Sequence, residues 1–201
     1  MKNILLTFII LIFLSCKSDK NEIPPEFKDS NLQLVEFLEK KIYIPKDFKK
    51  TSIETVAELI KNSPDLNELS EYEFQKLENF KKMGQTVEMF IKDGNYKNNI
   101  SFQSGNYVEL TKEAVEVYVD LLENHLFVES ESFGVERKRL ESKFLTYGIS
   151  KVVKVKYLQT FGEEKIFLTQ YLVTYKLKTF GIIVASESDS DYQYILKNFK
   201  K

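Results

Sequence analysis

Lys151-Val152-Val153-Lys154-Val155-Lys156-Tyr157 is the stretch that decides the fold class. Side chains alternate along an extended chain, so Val153, Val155 and Tyr157 fall on one side and Lys154 and Lys156 on the other. That is the pattern of an antiparallel strand with one covered and one wet face. Similar segments flank it. Residues 135–145, 151–161, 166–177 and 180–185 are rich in β-branched and aromatic residues, and Gly148 and Gly162-Glu163-Glu164 supply turns between them. Within 166–177, Phe167, Tyr171, Val173 and Tyr175 face one way, and Leu168, Gln170 and Leu172 the other. Apolar residues on both faces predict helices over both sides of the sheet.

Upstream of this region the period changes. Thr111 is placed to cap a helix whose Val115, Tyr118, Val119, Leu122 and Leu126 share one face. Before it, Val87, Met89 and Ile91 alternate with Glu88, Phe90 and Lys92. Asp93-Gly94-Asn95 then opens a turn, and Ile100-Ser101-Phe102-Gln103 returns as a strand, which predicts a hairpin with an asparagine-rich loop. Residues 51–83 predict a helical insertion. Thr51 with Glu54 and Ser70 with Glu73 fit the capping box, in which a hydroxyl and an acid satisfy free amides reciprocally. Ile53, Val56, Ala57 and Ile60 recur at helical spacing, as do Phe74, Leu77 and Phe80, and Gly84 is placed to end the second helix. Residues 41–44 alternate before Pro45 as a strand does, while 31–39 fit a helix or a strand equally. Asp189 is expected to cap a last helix with Tyr192, Ile195, Leu196 and Phe199 as its apolar stripe. The sum is an α+β fold: one domain over residues 31–201, with an antiparallel sheet of about six strands covered by helices on both faces.

The start of the chain carries a different signal. Lys2 precedes an apolar run from position 4 to 14 broken only by Thr7, and Ser15 and Cys16 follow. So short a run cannot span a bilayer as a helix, which needs about 20 residues, and it reads as an export signal. Leu14-Ser15-Cys16 resembles the lipobox of bacterial lipoproteins, which implies cleavage after residue 15 and lipidation of Cys16. The abruptly polar Lys17-Ser18-Asp19-Lys20-Asn21-Glu22 fits that boundary. Residues 16–30, with Pro24-Pro25, then form a tether. The implied location is the cell envelope, lipid-anchored; Lys17, where an aspartate favours inner-membrane retention in some bacteria, points to the outer membrane, facing periplasm or surface.

Composition narrows the chemistry. Near-balanced acidic and basic residues give no electrostatic case for nucleic acid. With the only cysteine committed to lipid, no thiol remains for a disulfide, a thiolate metal site or a nucleophile. His125, the only histidine, sits late in the third helix without a flanking catalytic signature and reads as structural. Glu187, Asp189 and Asp191 are close in sequence but lack the spaced ligands and glycine of a calcium loop, so they read as a polar turn. The chain is therefore expected to be no enzyme and to need no cofactor or metal. Two segments combine tyrosine, asparagine and glycine, as recognition loops do: one contains Tyr96 and Asn99, the other Asn106 and Tyr107.

The order of these elements carries a resemblance. A strand ending in Ile44-Pro45-Lys46-Asp47-Phe48, a hairpin leading to Asn99-Ile100-Ser101-Phe102, a long helix, antiparallel strands and a final helix are similar to the PsbP-like α/β/α sandwich family. Members of that family act mostly by binding other proteins. The resemblance implies a protein-binding or assembly accessory; a carrier or sensor of a small ligand between sheet and helices is the other expectation.

Overall fold

Nine strands form two sheets in the computed structural model, which describes residues 23–63 and 68–200. The first two, β1 (Ser30–Val35) and β2 (Lys40–Pro45), pair as a separate antiparallel ribbon. The other seven are β3 (Phe48–Thr51), β4 (Val87–Lys92), β5 (Asn95–Gly105), β6 (Glu136–Tyr147), β7 (Ser150–Phe161), β8 (Glu164–Tyr175) and β9 (Lys178–Ser186). They lie in the order β3-β4-β5-β9-β8-β7-β6, every neighbour antiparallel. Helices α1 (Ile53–Lys61) and α2 (Glu68–Lys82) fall between β3 and β4, and α3 (Ala114–Phe133) falls between β5 and β6.

The two faces of the large sheet are covered differently. On one, Val119 and Leu126 of α3 pack on Val153, Val155 and Tyr157, and Val56 and Ile60 of α1 pack on Met89 and Ile91. On the other, Phe90, Phe102, Val152, Val173 and Phe180 are sealed by Val35, Ile42 and Ile44 of the ribbon and by Ile195, Leu196 and Phe199. Each such fully buried side chain contributes roughly 1.5–3 kcal/mol by leaving water. The expectation of about six strands with helices on both faces is thus corrected. Among the described residues the sheet has seven strands, strand outweighs helix, and α-helices cover only one face. The α/β/α sandwich that the PsbP-like resemblance implies is overturned by the same finding.

The reasons are local. Ile195, Leu196 and Phe199 are buried as their spacing requires, but the segment Gln193–Phe199 is a 3-10 helix, with Asp191 rather than Asp189 accepting from the first backbone amide. Residues 31–39 resolve into β1 and a 3-10 turn, Glu36–Leu38. The packed chain also begins earlier than residue 31. Phe27, in the turn Pro25–Phe27, is 5% exposed and stacks on Tyr43 at 4.4 Å, which shortens the tether. Ser52, not Thr51, caps α1 by accepting from Thr55 N, because Thr51 is the last residue of β3. Ser70 lies inside α2. Thr111 precedes an α3 whose N-terminal flank is Glu113; its hydrogen bond to that carboxylate holds Glu113 below the usual acid range.

The lysines of β7 do not share one wet face. Lys156 pairs with Asp189, but Lys154 is 6% exposed. Its Nζ lies 2.5 Å from Glu141 Oε2 and 3.1 Å from Gln193 Oε1. Burial pushes the Glu141 carboxyl up, but hydrogen bonds from Lys143 and Lys154 outweigh this and hold it below its ordinary value. Its contribution to stability is therefore present at neutral pH and is lost as pH falls through that lowered value.

Candidate functional site

A bulge at the start of β5 gathers the polar groups. Asp93 and Gly94 take φ of 47° and 78°, so the β4–β5 hairpin closes in two residues and β5 starts at Asn95. Lys92 pairs with Asn95, yet the next residue of β4, Ile91, pairs with Asn99. Residues 96–98 therefore have no partner on β4 and swell out of the ladder, the device by which a strand re-aims its side chains. The expected asparagine-rich loop is thus a bulged strand.

The extra residues are held by a dense network. Glu187 Oε2, just past β9, accepts from Asn95 Nδ2 at 2.9 Å and Asn98 Nδ2 at 2.5 Å. Asn98 Oδ1 accepts from Glu187 N at 3.0 Å and Ser186 Oγ at 3.3 Å. Asn99 Nδ2 donates to Tyr96 O at 2.8 Å, and Lys97 Nζ lies 2.7 Å from Glu164 Oε1. The Tyr96 ring packs on the α1 cluster, with its hydroxyl 3.5 Å from Ser63 Oγ. A cleft of about 250 Å³ opens here, between Leu59 of α1, Ser63 just past that helix, the Gly94 turn, residues 95–97 and Glu187. Its lysine, glutamate and asparagines are engaged with one another and with their neighbours, so the rim holds its polar groups in fixed positions. Such groups suit polar contact with another surface.

The other candidates lie elsewhere. Asn106 and Tyr107 follow the far end of β5; at about 3.3 Å per residue the strand separates them from Tyr96 and Asn99 by roughly 23–36 Å. The two candidate segments do not form one surface. Tyr107 is 52% exposed, beside Val108, whose carbonyl accepts from Thr174 and Thr179. Glu187, Asp189 and Asp191 turn to different partners: the asparagines, Lys156 and Gln193 N. Among the described residues no group of three His, Cys, Asp or Glu side chains could hold a metal ion. His125 lies in α3 with its side chain outside the described residues, as do residues 1–22, including the lipid candidate Cys16.

Glu187 was not legible as a site residue, because its partners are 89 and 92 positions away and no local motif links them. A second polar group hides under α3. Tyr118 donates to Gln170 Oε1 at 3.3 Å, and burial, with Tyr157 nearby, pushes its phenol up to about 12. No described helix is long and apolar enough to cross a membrane. Searched against known protein families and curated proteins, the chain matches none.

Proposed function

We propose that this chain is a membrane-tethered envelope lipoprotein, anchored through Cys16, that acts by holding a protein partner rather than by catalysis. The observation that carries this is the apolar run ending in Ser15-Cys16, followed at once by polar residues. Phe27 is already buried in the fold, so the chain from 16 to 24 can hold the lipid at most about 30 Å from the turn Pro25–Phe27. The β5 bulge is the contact surface of this reading, since rigidly held asparagine and tyrosine side chains recognise polar surfaces at little entropic cost. A small-ligand carrier fits less well, because the cleft's 250 Å³ is open and below the roughly 300–1,000 Å³ of ligand pockets.

Cross-linking in intact membranes followed by capture of this chain tests the reading. One reproducible protein adduct is expected, reduced at least tenfold by Glu187→Ala, which releases both asparagine amides. An adduct that Glu187→Ala leaves unchanged moves the contact away from the bulge. No adduct at all contradicts the binding role.

A further inference from the structure

Four hairpins of the large sheet turn in two residues, and each turn begins with a positive φ: Asp93 at 47°, Gly162 at 59°, Gly148 at 57° and Lys176 at 55°. The geometry is shared but the chemistry is not. At one end of the sheet the turns read Asp93-Gly94 and Gly162-Glu163, polar and acidic as turns usually are. At the opposite end they read Gly148-Ile149 and Lys176-Leu177. Ile149 is 58% exposed and Leu177 81%. Tyr107 and Val108, each about half exposed, leave β5 at this same end. A lysine at φ of 55° is strained where a glycine would not be, and the turn it makes projects a leucine into water.

Lysines stand around these tips. Lys176 and Lys178 flank Leu177, Lys178 also lying 3.8 Å from Glu39; Lys151, two residues past Ile149, lies 3.3 Å from Glu109; and Lys200 packs at Gly148. Exposed aliphatic tips ringed by lysine match the bilayer boundary, where acyl chains take the apolar groups and lipid phosphates take the cations. We propose that this end of the sheet rests in an anionic lipid–water interface, with Leu177 and Ile149 inserted. The proposal rests on the lipid anchor of the preceding reading for its local concentration. The distances agree. Seven residues from Cys16 to Ile23 reach about 25 Å, and the six-residue ribbon, whose Glu36–Leu38 turn lies by Lys178, spans about 20 Å.

The test uses the full acylated chain in vesicles of phosphatidylcholine and phosphatidylglycerol. With Cys16 acylated, Leu177→Cys offers the only free thiol for an environment-sensitive fluorophore, and Glu163→Cys marks the opposite end. The label at 177 is expected to shift to the blue and to be quenched several-fold more by brominated lipid than the label at 163. Equal quenching at both positions overturns the proposal. A label at 177 that is shielded but insensitive to brominated lipid also overturns it, in favour of a protein interface. If Cys16 itself takes the label, the anchor reading fails. The contrast between 177 and 163, measured in the Cys16→Ser background, then decides the insertion by itself.

Discussion

Gly148→Ala is expected to destabilise the fold by about 4 kcal/mol. Part of this is conformational: at φ of 57°, any side chain costs roughly 1–2 kcal/mol. The larger part is steric. A Cβ at this position would sit 1.9 Å from the Lys200 carbonyl oxygen, so the end of the segment Gln193–Phe199 must move. That movement strains the bond from Ser150 Oγ to Phe199 O and unseats Phe199, which is fully buried against Tyr175 and Phe180. Gly162→Ala is the internal reference, because its φ of 59° is nearly the same and its added Cβ meets nothing within 4 Å. It should cost only the conformational 1–2 kcal/mol. For a domain of this size the two should differ by roughly 5–12 °C in melting temperature. Equal melting temperatures would show that the C-terminal segment does not pack on the β6–β7 turn.

Glu88→Ala is expected to cost about 3 kcal/mol. Glu88 is 7% exposed, and its Oε1 accepts from Glu36 N at 2.7 Å and Phe37 N at 3.2 Å, capping the turn that joins the ribbon strands. Its Oε2 lies 2.6 Å from Lys50 Nζ, which also bonds Glu36 Oε1 at 2.8 Å. Burial alone would lower the Lys50 pKa, but its two carboxylate partners hold it above the usual lysine value. Removing Glu88 strands two amides and leaves Lys50 with Glu36 alone, and the loss of a partner costs more than the intact interaction contributes. Glu88→Gln keeps an acceptor for the amides and should cost about half as much. Denaturant unfolding checks both. A Glu88→Ala loss under about 0.5 kcal/mol, the range of ordinary surface changes, would mean that the ribbon is held by its apolar contacts alone.

Much of the sheet was legible because its signal is local. The alternation in 151–161 placed Val153, Val155 and Tyr157 under a helix, and the spacing of Val115, Val119 and Leu126 supplied that helix. What covers the other face was not legible. Apolar residues such as Tyr171 and Val173 show that a face is buried, but a ribbon and a 3-10 segment bury it as fully as a helix does. In β1 the pattern points the wrong way: Leu32 and Leu34 are about half exposed while Gln33, opposite Ile42, faces the core. Lys154 misled for the opposite reason, since a buried lysine satisfied by Glu141 and Gln193 looks in sequence like a wet one. Of the site, composition marked Tyr96 and Asn99. Their bulge, and Glu187 that holds it, depend on register across β4, β5 and β9, which no single segment encodes.

The proposed lipidation of Cys16 underlies both the proposed role and the proposed orientation at the bilayer. The most direct measurement grows cells producing this chain with an alkyne-bearing fatty acid and reads the tag on the purified protein. The wild-type chain should carry the tag on a polypeptide that begins at residue 16. Cys16→Ser should carry none and remain at precursor length. A tagged Cys16→Ser chain, or an untagged wild-type chain, would contradict the lipid anchor.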